Sequence, residues 1–225
     1  MNELIQQNQL SEAARSYAYQ DLPNWNILRL VPPDGQVIGT IGCGYATTEY
    51  ELVKRGRQIH GVDVSASAIE RAGTRLTSAR VVDPSNEMPF AQGSLDGLIL
   101  ADVIEHMPSA HLRLRRYASM LKIGGWAVIS VPNMRHWMVL HQLALRGDWP
   151  EHPLGIFDDT HVQVMTHRRL ERWATDAGLR LERWQDAYES RFLRRNIDRA
   201  INLASFKLLR GFVTYQVQGL FRRIC

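Results

Sequence analysis

The chain has 225 residues, 45% apolar and 22% charged, the profile of one soluble domain with an appendage, large enough to bury about 70% of its unfolded surface without a staple. Its two cysteines, Cys43 and Cys225, exclude a disulfide framework and a paired-cysteine zinc site, and no signal-peptide core or run of about 18 apolar residues is present, so a reducing, cytoplasmic setting is expected. The net charge of +4 conceals an asymmetry: residues 191–225 hold eight Arg/Lys against Asp198 alone, +7, which leaves −3 for the first 190.

Residues 1–30 read as helical. From Gln36 onward, short apolar runs alternate with amphipathic stretches, the rhythm of an α/β fold with a parallel sheet. The runs QVIGTI (36–41), QIHGVDV (58–64), ARVV (79–82), DGLILA (96–101) and GWAVISVP (125–132) suit strands covered on both faces. Ser65 caps a helix with Ile69, Ala72 and Leu76 on one face. Pro108 opens a helix that buries Leu114, Tyr117, Ala118 and Leu121 and stops at Gly124-Gly125. Thr166 caps a third, with Leu170, Trp173, Ala174 and Ala177 inward and Gly178 as its stop. LRLERW (179–184) and Phe212 to Leu220 read as the last strands. The stretch 133–165 follows no periodicity, and an insertion of that length is often a functional lid.

The turn Ile41-Gly42-Cys43-Gly44-Tyr45-Ala46 lies between the first strand and its helix. Small residues there let backbone N–H groups approach a ligand at the carboxyl end of a parallel strand. Asp63 ends the second strand, 19 residues after Gly44, where a carboxylate accepts the ribose hydroxyls of an adenosine-containing ligand. A tight turn and a helix-capping Asp leave a similar trace, and a lone G-x-G is weak evidence. The dinucleotide fingerprint asks for a glycine at position 47, which is Thr47 here.

The chain instead resembles the class I S-adenosylmethionine-dependent methyltransferases, whose first motif reads acid-x-G-x-G-x-G. Glu87-Met88-Pro89-Phe90, Gly93-Ser94-Leu95-Asp96 and Asp102-Val103-Ile104-Glu105-His106 resemble the family's LPF…GSFD…DVLEH succession. Leu121-Lys122-Ile123-Gly124-Gly125, followed by Val131-Pro132-Asn133, resembles its L-x-P-G-G…PN signature. The likeness runs in order over residues 36–133. It implies a Rossmann-like three-layer α/β sandwich, a seven-stranded mostly parallel sheet with the last strand antiparallel, and S-adenosylmethionine as cofactor. It further implies that Thr40, Gly42, Cys43 and Gly44 form the cofactor loop, that Asp63 with Val64 meets the ribose, and that Asp83 with Pro84 and Ser85 lies by the adenine. Asp102 ends the fourth strand, where methionine-side and acceptor contacts meet.

Two departures stand out. Thr40 occupies the place of the family's acid for the ligand's amino group, and removing that acid forfeits a charge-assisted hydrogen bond of about 1.5–3 kcal/mol. Ala46 replaces the third glycine and is tolerable if its φ is negative.

Methyl transfer is an in-line displacement, so much of its catalysis is positioning. A base is needed only for an acceptor that sheds a proton. His106, whose imidazole titrates near neutrality, is the first candidate; packing against the next helix is the alternative.

Pro132-Asn133-Met134-Arg135-His136-Trp137, Leu145-Arg146-Gly147-Asp148-Trp149 and Gly155-Ile156-Phe157-Asp158-Asp159-Thr160-His161 resemble a narrower branch, encoded among glycosyltransferases for bacterial surface polysaccharides. His136, Asp158, Asp159 and His161 are polar candidates for the acceptor pocket, with His161 a second candidate base or orienting donor. Trp137 and Trp149 are candidate stacking platforms. His152, Asp158, Asp159 and His161 lack tight ligand spacing, so no metal is expected although hard cations favour oxygen ligands.

In the basic segment, Leu193, Ile197, Ala200, Ile201, Ala204 and Leu208 share a helical face expected to pack on the sheet. Contact of 191–212 with the inner face of an anionic membrane is the functional alternative, and nothing resembles a nucleic-acid reading surface.

The expected organisation is a single methyltransferase domain, 1–225: an N-terminal helical cap (1–33), a cofactor-binding core (34–132), an insertion or lid (133–165) and a C-terminal completion of the sheet (166–225), as monomer or homodimer. The expected reaction is O-methylation of a sugar or glycan hydroxyl, in polysaccharide biosynthesis. The alternatives are methylation of a small-molecule phenol, carboxyl or amine, or a non-catalytic protein of the same fold.

Overall fold

A computed structural model describes residues 22–84, 87–188 and 192–225. The reading of 1–21 as helical, and the adenine-side role of Ser85, lie outside the described residues. Seven strands form one sheet: β1 (Val37–Ile41), β2 (Gln58–Asp63), β3 (Ser78–Val81), β4 (Leu95–Ala101), β5 (Leu121–Pro132), β6 (Leu179–Ala187) and β7 (Gln216–Arg223), in the order β3-β2-β1-β4-β5-β7-β6. The first five run parallel, while β7 lies antiparallel between β5 and β6. The order reverses between β1 and β4, which puts the crevice of a doubly wound sheet at their carboxyl ends.

Helices cover both faces because the central strands are apolar on both. On one face, Leu98 and Leu100 of β4 and Ile129 and Val131 of β5 pack with Leu114 and Tyr117 of α4 (Ala110–Ala118) and with Leu170 and Trp173 of α6 (His167–Asp176). On the other, Ile38, Ile59, Ile99 and Val128 pack with Ile27 and Leu30 of α1 (Trp25–Leu30), Leu52 of α2 (Thr47–Val53) and Ala72 of α3 (Ala66–Gly73). Trp126 is fully buried on that side; a Cβ at Gly97 would come within 2.3 Å of its ring, so the neighbouring strand has to carry glycine.

Asp96 belongs to the opposite end of the sheet. Its carboxylate accepts from Gln36 N and Val37 N, both at 2.8 Å, and from Lys122 Nζ at 2.6 Å. The Lys122 ammonium, then the Val37 amide, hold its pKa down to about 2. Its part of the motif stitches three strands together.

Caps expected at Ser65 and Thr166 are present: their hydroxyls accept from Ala68 N and Arg169 N. Other expectations are corrected. The helix after Pro108 ends at Ala118, and Leu121 already pairs with Leu95 across a register shift, because β4 captures that backbone. ARVV is an edge strand in which Arg80 and Val81 are exposed, so neither side of it is covered throughout. Within 133–165 a short helix, α5 (Trp137–His141), continues as a π-turn through Gln142–Arg146. Residues 210–213 form α8 (Arg210–Val213), and β7 begins only at Gln216.

The largest correction concerns α7 (Phe192–Ala204). Among its described side chains, from Arg195 onward, the buried ones are Asp198 and Asn202, while Ile197 is 51% and Leu208, beyond its end, 85% exposed. The helix is held through its polar face: Asp198 Oδ2 lies 3.9 Å from His136 Nε2, and Asn202 Nδ2 donates to Tyr188 Oη at 2.8 Å. Of the apolar stripe expected on the sheet, Ile197, Ala200, Ile201, Ala204 and Leu208 are exposed, and the Leu193 side chain lies outside the described residues. Among the described residues no helix is long and apolar enough to cross a membrane.

Candidate active site

The β1–α2 turn is built against its neighbours. Gly42 N and Cys43 N donate to Val62 O at 2.8 and 3.1 Å, and Gly44 N donates to Asp63 Oδ2 at 2.8 Å. Asp63 Oδ1 accepts from Ser65 N at 2.9 Å. The buried carboxylate therefore ties the loop to the start of α3, at the end of β2. Val64 beside it is exposed, and Asp83 and Pro84 follow the end of β3; Pro84 O accepts from Tyr117 Oη at 3.0 Å. Cys43 is buried, and burial pushes its thiol pKa far up, so it is a packing residue without thiolate character.

Gly42 has φ +70°, and a Cβ there would come within 2.4 Å of Val103 Cγ2. Gly42→Ala therefore combines left-handed strain of about 1–2 kcal/mol with overpacking of about 1–3 kcal/mol. Gly56→Ala, at φ +83° in open space, carries the strain alone. Thermal unfolding should show a clearly larger loss for Gly42→Ala, partly restored by adding Val103→Ala; equal losses would exclude the Val103 contact as the cause.

Ala46 has φ +55°, so the condition of a negative φ, under which alanine fits without strain, is not met. The turn imposes the left-handed conformation usually reserved for glycine, and alanine bears it at about 1–2 kcal/mol. Thr40 is buried, and its Oγ1 donates to Glu49 Oε1 at 3.0 Å. Glu49, from α2, is buried too; burial raises its pKa to about 7, against hydrogen bonds from its own backbone and from Thr40, and the neighbouring Asp63 charge adds to the rise. A carboxyl thus stands beside the loop although the strand itself ends without one.

The second half of the site is the end of β4. Asp102 has φ +55°, a sparsely populated conformation for a non-glycine residue. Its carboxylate accepts from Ser130 Oγ on β5 and Gln216 Nε2 on β7, each at 3.0 Å. A 3-10 turn, Ile104–His106, follows. The Glu105 carbonyl accepts from Val162 N and Gln163 N at 2.9 and 3.1 Å, which fastens the insertion to this turn and brings His161 beside it. The His106 and His161 rings are 4.7 Å apart between centroids.

Thr160 Oγ1 donates to Asp158 Oδ1 at 2.5 Å and lies 2.8 Å from His106 Nδ1. Its one proton is committed to Asp158, so it accepts from His106 Nδ1–H. That tautomer leaves the lone pair on His106 Nε2. Desolvation, then the neighbouring His106, lower the His161 pKa. Glu105 is fully buried, and neither carboxylate oxygen has a hydrogen-bond partner. Burial, then the Asp102 charge, push its pKa well up.

Other candidates fall outside this group. His136 is fully buried and accepts from Met138 N at the start of α5, and Asp159 and His152 are exposed. Trp149 packs edge-on against Phe157. Glu105 and Thr160 stand in the sequence only within the family-like stretches 102–106 and 155–161, and Glu49 and Gln216 stand in none. An acid within the otherwise apolar Val103-Ile104-Glu105 run is a signal for Glu105; nothing local marks the others.

Strand order, a reversed strand beside β5, and a glycine turn facing an anchored carboxylate at the switch point define the Rossmann-like fold of S-adenosylmethionine-dependent methyltransferases. The chain belongs to the methyltransferase-domain family, whose sequence profile matches residues 20–183. The ubiquinone biosynthesis O-methyltransferase of Albidiferax ferrireducens is 29% identical over 114 residues, covering 48% of this chain and 45% of that protein. Its namesake from Chromobacterium violaceum is 26% identical over 160 residues, 66% of each chain. The chain thus spans from under half to about two thirds of these relatives' length. Among solved structures, a SAM-dependent methyltransferase from Archaeoglobus fulgidus matches with TM-score 0.59 at 19% identity, covering 83% of this chain and 86% of that one; it shares the fold.

Proposed function

We propose that the protein methylates a hydroxyl group of a small, lipophilic, phenol-type acceptor. The observation that carries this reading is the cluster of Glu105, His106 and His161 at the end of β4, joined to the cofactor turn through the Val103–Gly42 contact. A hydroxyl acceptor must lose its proton on methylation, and a cluster of titratable side chains is what that chemistry uses. The names of the relatives, O-methyltransferases of quinone biosynthesis, favour a phenolic small molecule over a sugar.

The residues present fit the cofactor. Asp63, with Val64 at its side, takes the ribose; Gly42, Cys43 and Gly44 line the methionine side; Asp83 and Pro84 border the adenine. Glu49, resting on Thr40, supplies the carboxylate that β1 lacks for the ligand's amino group. S-adenosylmethionine supplies a methyl group on a sulfonium, already activated for displacement. Asp102, held by Ser130 and Gln216, shapes the boundary between cofactor and acceptor. His106 and His161 act on the acceptor hydroxyl, and residues 133–165 cover it.

A lipophilic acceptor matches a second feature. Ile197, Ile201, Leu203, Phe206 and Leu208 are exposed among Arg195, Arg199 and Lys207, an arrangement suited to the surface of an anionic bilayer. The test incubates the protein with S-adenosylmethionine and a catechol-type phenol in phosphatidylglycerol or phosphatidylcholine vesicles, with free sugars in parallel. Mass spectrometry should find one added methylene unit on the phenol, formed faster on the anionic vesicles. His106→Ala should lower kcat by about a hundredfold or more. Methylation confined to sugars, or no S-adenosylhomocysteine with any acceptor, refutes the reading.

A further inference from the structure

We infer that Glu105, His106 and His161 form a binding site for one first-row divalent metal ion. Each offers a ligand atom, and these atoms all lie within 4.8 Å of one another. The grouping differs from the His152, Asp158, Asp159 and His161 set that the sequence brings to mind: the fold leaves His152 and Asp159 exposed and draws in Glu105.

Glu105 is the independent sign of a ligand. Its carboxylate has no solvent exposure and neither oxygen meets a donor. A carboxylate so buried is costly unless a cation or donor faces it. Asp102 and Asp158 bear on it with charge of the same sign, and its own backbone offsets burial and these charges only in part. His161 Nδ1 is likewise buried without a partner.

The surrounding shell has the form that metal-binding histidines require. His106 Nδ1–H donates to Thr160 Oγ1, which donates to Asp158, so the ring is oriented through its second nitrogen. The hydrogen bonds from Val162 N and Gln163 N to the Glu105 carbonyl fix His161 against the turn. One carboxylate and two imidazoles suit manganese, iron, cobalt, nickel or zinc rather than calcium. Three protein ligands leave positions open for an oxygen of the acceptor.

The role of such an ion rests on the proposed O-methylation: with both imidazole lone pairs on the ion, His106 and His161 would act on the acceptor hydroxyl through it, stabilising the oxygen anion, so that the proton leaves to solvent before the oxygen takes the methyl group. The binding itself does not depend on that role. Tag-free protein, stripped with a chelator, is titrated with Mn²⁺ and Co²⁺ by calorimetry and visible spectroscopy, and S-adenosylhomocysteine binding is measured separately. One ion should bind per chain, with a cobalt absorption band. Glu105→Gln and His161→Ala should weaken binding about 10–100-fold or more. Both variants should keep their melting temperature and S-adenosylhomocysteine affinity, and His60→Ala, away from the cluster, should bind metal normally. No binding of either ion at millimolar concentration, or unchanged affinity in Glu105→Gln, overturns the inference. If S-adenosylhomocysteine binds and metal does not, the metal site alone fails; if S-adenosylhomocysteine does not bind, the proposed function fails.

Discussion

Asp63→Ala should remove measurable binding of S-adenosylmethionine and S-adenosylhomocysteine in calorimetry while the protein stays folded. The carboxylate has two tasks. It anchors Gly44 N and Ser65 N at 2.8 and 2.9 Å, which sets the shape of the loop, and by the proposed assignment it accepts the ribose hydroxyls. Hydrogen bonds to a charged acceptor contribute about 1.5–3 kcal/mol each. Losing two costs about 3–6 kcal/mol, a factor of about 10² to 10⁴ in affinity. Asp63→Asn keeps one carbonyl oxygen and should fall between the two. An affinity in Asp63→Ala within a few-fold of wild type would show that the ribose lies elsewhere.

Glu49 should make both stability and cofactor affinity depend on pH, in opposite directions. Its pKa rises from 4.5 to about 7 on folding, so the folded state holds this proton more tightly than the unfolded one. Stability from this group is therefore greatest below about pH 4.5 and declines as pH rises to about 7, by an amount on the order of 3 kcal/mol. A cationic ligand beside Glu49 favours the ionised form. S-adenosylmethionine should then bind with release of a proton below pH 7 and more tightly as pH rises towards it. Glu49→Gln, which still offers Thr40 an acceptor, should flatten both profiles and bind the cofactor more weakly. Calorimetry in buffers of different ionisation enthalpy reads the proton directly; identical proton release in wild type and Glu49→Gln would remove Glu49 from the cofactor site.

Much of the sheet is legible in the chain because its signals are local. Five of the seven strands coincide with apolar runs, and caps such as Ser65 and Thr166 act over three residues. The strand-turn-helix at Gly42–Gly44 and the acid at the end of β2 are short-range patterns of the same kind. Boundaries slipped where a neighbouring strand overrode local propensity: Leu121 reads as helix and is strand because Leu95 pairs with it. The outward stripe of α7 could not be foreseen from amphipathicity. That signal assumes the apolar face is the buried one, whereas Asn202 and Asp198 find partners on β6 and the insertion.

His106 and His161 were visible as single titratable residues, but their pairing depends on 54 intervening residues returning so that Val162 N meets the Glu105 carbonyl. Glu49 and Thr40, although close in sequence, meet only because α2 turns back over β1. Ala46 shows the same dependence, since its φ is set by the turn's closure against β2. The strand pattern, the cofactor turn and the Asp63 position are written in periodicity and spacing, where covalent geometry alone carries information. The Thr40–Glu49 pair, the Glu105–His106–His161 cluster and the polar docking of α7 depend on tertiary structure. Each depends on which side chains end up buried facing one another, and burial is a property of the packed layers, not of any segment alone.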